Sequence, residues 1–263
     1  MLKAEEVRLM GSGQVSRRLR YMDCNCRIGT FEEMEDCYFT EIDSLLAEME
    51  YLGIGDALVL HTWASRWSPP KGNKQLDEIL ADYDNLYPCY VGLPPVTGEL
   101  PDPEEFAAAV RQNHGAVRLF PSEHQYDFTP WCVGELLEPL ADHGVPLMIE
   151  ITQTNWDQVA AILDAFPDLP LVLLDTYYRI NRHIYPLMDK HENLHLETHT
   201  YQVPFGIEDV TRRFGAQRLL FGTNLPENEG GGALAQLEYA DLPEEHKQQI
   251  AGGNLRNLLG IAQ

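Results

Sequence analysis

The sequence has few basic residues. Its 263 residues include 19 Lys and Arg against 41 Asp and Glu, which gives a formal net charge of −22. Because so acidic a surface repels phosphate backbones and anionic membranes, we expect neither nucleic acid nor membrane as a partner. No apolar run approaches the roughly 20 residues that span a bilayer. Residues 1–20 lack the apolar centre of a signal peptide and are interpreted as an N-terminal extension.

Cysteine pairs and cofactor motifs are lacking too. The five cysteines (24, 26, 37, 89 and 132) are odd in number, and their spacing indicates no disulfide framework. This pattern favours a reducing, cytoplasmic setting. No strand-like run is followed by Gly-x-Gly-x-x-Gly, and Gly-Lys-Ser/Thr is absent, so we expect no cofactor.

What the sequence does contain is a regular alternation of two patterns. Eight short apolar or β-branched runs alternate with amphipathic helical stretches, and most runs are apolar on both faces, as in parallel strands covered on both sides. The predicted strands are Tyr21–Arg27, Asp56–His61, Tyr87–Leu93, Ala116–Phe120, Pro146–Ile151, Leu171–Asp175, Leu194–Thr198 and Arg218–Gly222. Eight strand–helix units in about 250 residues predict a single-domain α/β fold, a (β/α)8 TIM-type barrel spanning residues 1–263.

The stretch Met22–Gly29 carries the most unusual side chains. Strict alternation predicts that Asp23, Asn25 and Arg27 share one face of the first strand. Cys24 and Cys26 then fall on the other face, where we expect them to pack as small hydrophobic residues under the first helix rather than to bind a metal.

In position and flanks this stretch resembles the Asp-x-His-x-His-x-Gly strand of the amidohydrolase superfamily, whose two histidines hold a catalytic metal. Residues 218–226 are similar to the Arg-x-Leu-Phe-Gly-Ser-Asp-x-Pro strand of the amidohydrolase-related branch, and residues 137–147 and 250–260 resemble its segments in the same order. The resemblance implies a (β/α)8 barrel, hydrolase or decarboxylase chemistry, and catalytic residues at five strand positions.

This chain has a different residue at each of those five positions, which are Asn25, Arg27, Glu150, Asp175 and Asn224. Asn is a weak ligand for a dication, and Arg brings a permanent positive charge. We therefore predict a degenerate metal site that binds no transition metal. Arg27 is a candidate partner for one of the two new carboxylates, because a buried carboxylate without a cation would be costly.

Function in such a barrel gathers at the carboxyl ends of the strands. The predicted catalytic residues are Asp175, Glu150, Asn25 and Arg27. The predicted substrate-binding residues are His61, Trp63, Arg118, Tyr177, Arg179, His199 and Asn224. In this scheme Asp175 or Glu150 activates water, Arg27 and Arg118 hold anionic groups of a small substrate, and Asn25 or Asn224 donates to the developing oxyanion.

Three hypotheses follow for the function. The first is an amidohydrolase-like hydrolase acting on a small carboxylated ester, lactone or amide without a transition metal. The second is an inactive barrel kept for ligand or partner binding, in which the polar residues form a structural plug. The third is a hydrolase or decarboxylase that binds a harder cation through Glu150, Asp175, Glu197 and His199. The loop aromatics and arginines form a pocket in one interpretation and a homo-oligomer interface in another.

Overall fold

The eight predicted strands form one parallel sheet. The computed structural model describes residues 19–30 and 40–262. Within these residues the strands pair in the order in which they occur along the chain. They are β1 (Tyr21–Ile28), β2 (Ile54–His61), β3 (Leu86–Val91), β4 (Ala116–Leu119), β5 (Leu147–Glu150), β6 (Leu171–Leu174), β7 (Leu194–Glu197) and β8 (Leu219–Leu220). Each lies within two residues of its predicted bounds at either end, and β8 is the shortest.

The last strand returns to the first and nearly closes the barrel. The backbone N–H of Cys24 donates to the carbonyl of Phe221 at 3.0 Å, and that of Arg27 donates to Leu225 at 2.8 Å. These bonds fasten β1 to the segment that includes β8. The predicted (β/α)8 barrel is therefore confirmed, with the carboxyl ends of all eight strands at one mouth.

Helices connect the strands on the outside of the barrel. Those in the described residues are α1 (Ile42–Leu52), α2 (Thr62–Arg66), α3 (Pro69–Leu80), α4 (Pro103–Gln112), α5 (Pro130–Asp142), α6 (Trp156–Ala165), α7 (Asn181–Lys190), α8 (Gly206–Phe214), α9 (Gly230–Glu238), α10 (Glu244–Gln248) and α11 (Asn254–Leu259). None of them is both long and apolar enough to cross a bilayer. The predicted extension of residues 1–20 lies outside the described residues up to residue 18.

Two layers of buried side chains make up the core. The larger layer lies between the strands and the helices and includes Leu45 of α1 and Val59 of β2. The smaller one fills the barrel interior, with Leu58, Cys89 and Met148 among its members. Alternate residues of each strand serve the two layers, which explains why the strands are apolar on both faces.

The first strand departs from the predicted alternation. Its register against β2 shifts between Asp23 and Cys26. As a result Cys24 packs in the barrel interior, whereas Cys26 packs in the outer layer. The prediction that both cysteines face the helix is therefore wrong for Cys24, because one extra residue in the strand reverses the alternation beyond it.

Candidate active site

Seven strand ends bring the candidate residues to one mouth of the barrel. Asn25 and Arg27 lie in β1, Arg118 in β4, and Glu150 is the last residue of β5. Asp175 follows β6 directly, His199 lies two residues beyond β7, and Asn224 lies in the segment after β8. His61 ends β2. The structure thus gathers residues that are up to 199 positions apart in the sequence, from 25 to 224.

A buried network joins four of the predicted residues across the barrel. Glu150 Oε1 accepts a hydrogen bond from Arg27 Nη2 at 2.7 Å and a second one from Nη2 of Arg118. The other terminal nitrogen of Arg118 donates to Asn25 Oδ1 at 2.8 Å, and Thr152 Oγ1 donates to Glu150 Oε2 at 3.2 Å. Arg27 is therefore a carboxylate partner, as predicted, and Arg118 is a second one.

The two candidate bases have very different proton affinities. Burial alone would raise the pKa of Glu150, but the guanidinium groups of Arg118 and Arg27 bring it down to about 2. Burial, with the charges of Glu150 and Glu197, raises the pKa of Asp175 to about 6. Glu150 is thus a permanent anion held by two cations, while Asp175 can take up and release a proton near neutral pH.

His199 is fixed by a buried carboxylate. Its backbone N–H donates to Glu197 Oε1 at 2.9 Å, and its ring Nδ1 lies 3.1 Å from both oxygens of Glu197. Burial would lower the pKa of His199, but the bond to Glu197 and the charge of Asp175 outweigh it and raise the pKa. Asp175 Oδ1 lies 4.0 Å from Nδ1, so two titratable groups stand side by side.

The segment after β8 adds a residue that the sequence interpretation missed. Glu227 Oε1 accepts from Arg27 Nη1 at 2.6 Å, and Asn224 Nδ2 donates to Glu227 Oε2 at 3.3 Å. The signal available in the sequence was position alone, because Glu227 follows Asn224 by three residues.

Three of the predicted site residues have left-handed backbones: Tyr177, with a φ of 57°, and the polar residues Asp175 and Asn224. Asp175 has a φ of 52° and Asn224 a φ of 58°. Asp and Asn are among the non-glycine residues that most often adopt this conformation, yet it remains uncommon and concentrates at functional sites. The backbone therefore turns sharply where it presents these two side chains.

The remaining predicted residues lie around the mouth without joining the network. His61 Nδ1 accepts from the backbone N–H of Trp63 at 3.2 Å, and the two rings meet edge to face. Tyr177 is 52% exposed. The guanidinium of Arg179 lies 5.0 Å from the ring centre of Tyr178. These residues form an aromatic rim, and in the part of the chain that the structure describes none of them is hydrogen-bonded to Arg27 or Glu150.

Several buried polar atoms of the site have no hydrogen-bond partner among the described residues. They include Asn25 Nδ2, His199 Nε2 and Asn224 Oδ1. Buried polar groups are normally satisfied, so such atoms mark places where a water or ligand binds. Asn25 offers a donor there, and Asn224 an acceptor.

The donors at the mouth do not fit the dication that the family resemblance implies. Glu150 and Asn25 already accept hydrogen bonds from Arg118, and two guanidinium groups stand where a metal would need anionic or neutral ligands. Among residues 19–30 and 40–262, no three His, Cys, Asp or Glu side chains are arranged to hold an ion.

Comparison with solved structures supports the fold. The chain is similar to 5-carboxyvanillate decarboxylase from Sphingomonas paucimobilis, with a TM-score of 0.71, 13% identity, and coverage of 93% of this chain and 100% of the other. A candidate 2-pyrone-4,6-dicarboxylic acid hydrolase from Pseudomonas putida gives a TM-score of 0.70 at 14% identity, covering 92% and 98%. A dihydroxybenzoic acid decarboxylase from Polaromonas, with bound manganese and the inhibitor 2-nitroresorcinol, gives 0.66 at 14% identity, covering 92% and 97%.

The sequence comparisons address the family. A search of curated proteins found no match. The family model described as Amidohydrolase matches residues 31–261. Because this match covers most of the chain and agrees with the barrel and its segment order, the protein belongs to the amidohydrolase family.

Proposed function

We propose that the protein hydrolyses a small carboxylated ester, lactone or amide without a transition metal. The observation that carries this proposal is the contrast between Asp175 and Glu150. One carboxyl at the barrel mouth has a pKa of about 6, while its neighbour has a pKa of about 2. Two carboxyls whose pKa values differ in this way can take different roles, one as the base and the other as a fixed anion.

In the proposed reaction Asp175 takes a proton from a water molecule as that water attacks the substrate carbonyl carbon. The carbonyl oxygen becomes an oxyanion, and Asn25 Nδ2, which is buried and otherwise unpartnered, donates to it. Collapse of the tetrahedral intermediate breaks the bond to the alkoxide or amine. The leaving group then receives the proton that Asp175 took up.

His199 is suited to assist this proton transfer. Glu197 lies against Nδ1, which favours the tautomer with a proton on Nδ1 and leaves Nε2 as an acceptor. A carboxylate that orients a histidine in this manner is a recurrent device in acyl-transfer sites. Through Nε2, which has no hydrogen-bond partner among the described residues, His199 would accept a hydrogen bond from the attacking water and orient it for Asp175.

Decarboxylation of a small aromatic acid is the second candidate. It is favoured by the solved relatives that are decarboxylases of carboxyvanillate and dihydroxybenzoate. The guanidinium of Arg27 would bind a substrate carboxylate in either reaction. The two reactions differ in their products, because decarboxylation releases carbon dioxide and hydrolysis releases an acid with an alcohol or amine.

A panel of carboxylated esters, lactones and amides, assayed in EDTA, tests the proposal. We expect Asp175→Asn to lose at least about 100-fold in kcat, as for removal of a general base. The wild-type rate should rise with pH through about 6, because only the ionised carboxylate accepts a proton. Asp168→Asn, at an exposed position, serves as the matched control.

Four outcomes would contradict the proposal. Full activity of Asp175→Asn would remove Asp175 as the base. Activity that disappears in EDTA and returns with Mn²⁺ would establish a metal enzyme. Carbon dioxide release without hydrolysis would favour the decarboxylase, and binding without turnover of any compound would favour the inactive barrel.

A further inference from the structure

The guanidinium of Arg27 lies between two carboxylates that differ in their surroundings. Nη2 contacts Glu150 Oε1 at 2.7 Å, and Nη1 contacts Glu227 Oε1 at 2.6 Å. The Glu150 side chain is 12% exposed and the Glu227 side chain 30% exposed. Glu150 therefore contacts Arg27 from the more buried side of the site, and Glu227 contacts it from the side nearer to solvent.

We infer that Arg27 carries a binding subsite for a ligand carboxylate, and that the carboxylate of Glu227 occupies this subsite when no ligand is bound. A carboxylated ligand would displace Glu227 and take over its contact with Nη1. This inference rests on the proposed function for the identity of the site, and it adds the position and the charge of the ligand group that binds there.

The balance of charge favours a ligand carboxylate that replaces Glu227 over one that binds in addition to it. The network holds two guanidinium groups, Arg27 and Arg118, and two carboxylates, Glu150 and Glu227. A ligand carboxylate that joined them would place three anions on two cations, whereas one that replaced Glu227 would leave the count unchanged. Asp175, whose ionisation is already disfavoured by the charge of Glu150, adds to the cost of a further anion nearby.

The two carboxylates also differ in how firmly they are held. Glu150 accepts bonds from Arg27, Arg118 and Thr152 and ends a strand of the barrel. Glu227 lies in the segment after β8, and besides the bond from Arg27 it accepts one from Asn224 Nδ2 at 3.3 Å. Release of Glu227 therefore breaks fewer bonds and returns a partly exposed side chain to water, where its charge is well solvated.

The chemistry of the displaced group indicates the class of ligand. A carboxylate matches another carboxylate in charge, planarity and hydrogen-bonding pattern, and guanidinium groups bind such anions through charge-assisted bonds. The exposed aromatic rim that includes Tyr177 and Trp63 suits a ring attached to that carboxylate. An aromatic monocarboxylate is accordingly the simplest probe.

Calorimetric titration with benzoate, and with benzamide as its uncharged counterpart, tests the subsite. Glu227→Gln keeps the size of the side chain but removes its charge, so we expect benzoate to bind about tenfold more tightly, a change of about 1.4 kcal/mol. Glu229→Gln removes the same charge from an exposed residue two positions away and should leave benzoate affinity unchanged. Benzamide affinity should be the same in all variants.

Any of three results would overturn the inference: no benzoate binding to either wild type or Glu227→Gln, equal affinities in these two, or equal gains for Glu227→Gln and Glu229→Gln. Equal gains in these two variants would mean that the overall negative charge, and not the contact of Glu227 with Arg27, controls benzoate affinity. Glu227→Ser provides a second test if Glu227→Gln does not fold. Because this readout is binding, it can succeed where turnover fails, so the fate of the subsite and that of the proposed hydrolysis are distinguished.

Discussion

At the scale of the residue, the same functional group has opposite properties on neighbouring strands. Glu150 at the end of β5 lies against Arg27 and Arg118, so its ionised form is strongly favoured. Asp175 just after β6 is buried near the anions Glu150 and Glu197, so its ionised form is disfavoured. Identity of side chain therefore says little about ionisation here, because the neighbouring charges decide it.

Stability measurements at different pH values can separate these two carboxylates. The folded pKa of Asp175 lies above its ordinary value of 3.8, so its contribution to stability is present below about pH 4 and is lost as the pH rises through about 6. Asp175→Asn should then raise the free energy of unfolding at pH 7.5 by about 2 to 3 kcal/mol. Glu150 behaves in the opposite way: its contribution is present above pH 4.5 and is lost as the pH falls towards 2.

We accordingly expect Glu150→Gln to lower the free energy of unfolding at pH 7.5 by about 3 kcal/mol or more, since it leaves two buried guanidinium groups without an anion between them. Urea denaturation at pH 4 and pH 7.5 measures both variants. Asp168→Asn and Glu138→Gln, both at exposed positions, are the matched controls. Shifts of the same sign in Asp175→Asn and Glu150→Gln would show that the surroundings of the two carboxyls are wrongly assigned.

At the scale of the element, the irregular part of β1 positions the site. Asp23 Oδ1 accepts from the backbone N–H groups of Asn25 at 2.9 Å and of Thr223 at 3.0 Å, and Oδ2 accepts from the Thr223 hydroxyl. One carboxylate thus fastens the register shift of β1 to the segment after β8. This arrangement lets Asn25 face Arg118 even though Cys24, its predecessor, also faces the barrel interior.

Substitution of Asp23 tests this positioning role. Asp23→Ala leaves two buried N–H groups unsatisfied, and at about 1 to 3 kcal/mol for each group we expect a loss of roughly 2 to 6 kcal/mol in stability. Asp23→Asn retains an acceptor for both N–H groups and should lose less. Urea denaturation gives the stabilities, and hydrogen exchange of the Asn25 amide reports the local bond. Equal losses in the two variants, with unchanged exchange at Asn25, would contradict the assignment.

Helix ends show a smaller difference between pattern and structure. Gly53 ends α1 in a left-handed conformation, as its position after an amphipathic run indicates. At α6 the adjacent residues Thr154 and Asn155 are both of types that cap helices, and it is Asn155 that provides the cap, accepting from the backbone N–H of Gln158. Adjacent residues that can both cap a helix differ by small energies, so tertiary placement selects between them.

At the scale of the whole molecule, the barrel decides what the mouth can bind. Arg27 and Arg118 donate to the oxygens of Glu150 and Asn25, so a dication would find these oxygens already bonded to guanidinium groups. We expect the thermal midpoint to be unchanged by EDTA and by millimolar Mn²⁺, since a ligand that does not bind the folded state cannot stabilise it. Scanning calorimetry of protein prepared without chelator is the measurement. A midpoint that rises with Mn²⁺ and falls in EDTA would contradict the metal-free site.

The sequence by itself determined the architecture and named candidate residues at the strand ends. Apolar runs at regular intervals predicted eight parallel strands, because burial on both faces of a barrel strand selects apolar residues at every position. Strand-end positions then indicated Asn25, Arg27, Glu150, Asp175 and Asn224, because the carboxyl ends of barrel strands meet at one mouth. Both inferences depend on local pattern and on chain order, which the sequence contains.

Only the tertiary structure decided how those residues act on one another. The register shift in β1, the clamp of Arg27 and Arg118 on Glu150, and the approach of Glu227 to Arg27 are contacts between distant segments. Pair distances set the hydrogen bonds and the pKa shifts, and side-chain periodicity does not encode them. The sequence therefore named Asp175 and Glu150 as alternative bases. In the structure, the guanidinium groups of Arg27 and Arg118 bind Glu150, whereas the pKa of Asp175 is about 6.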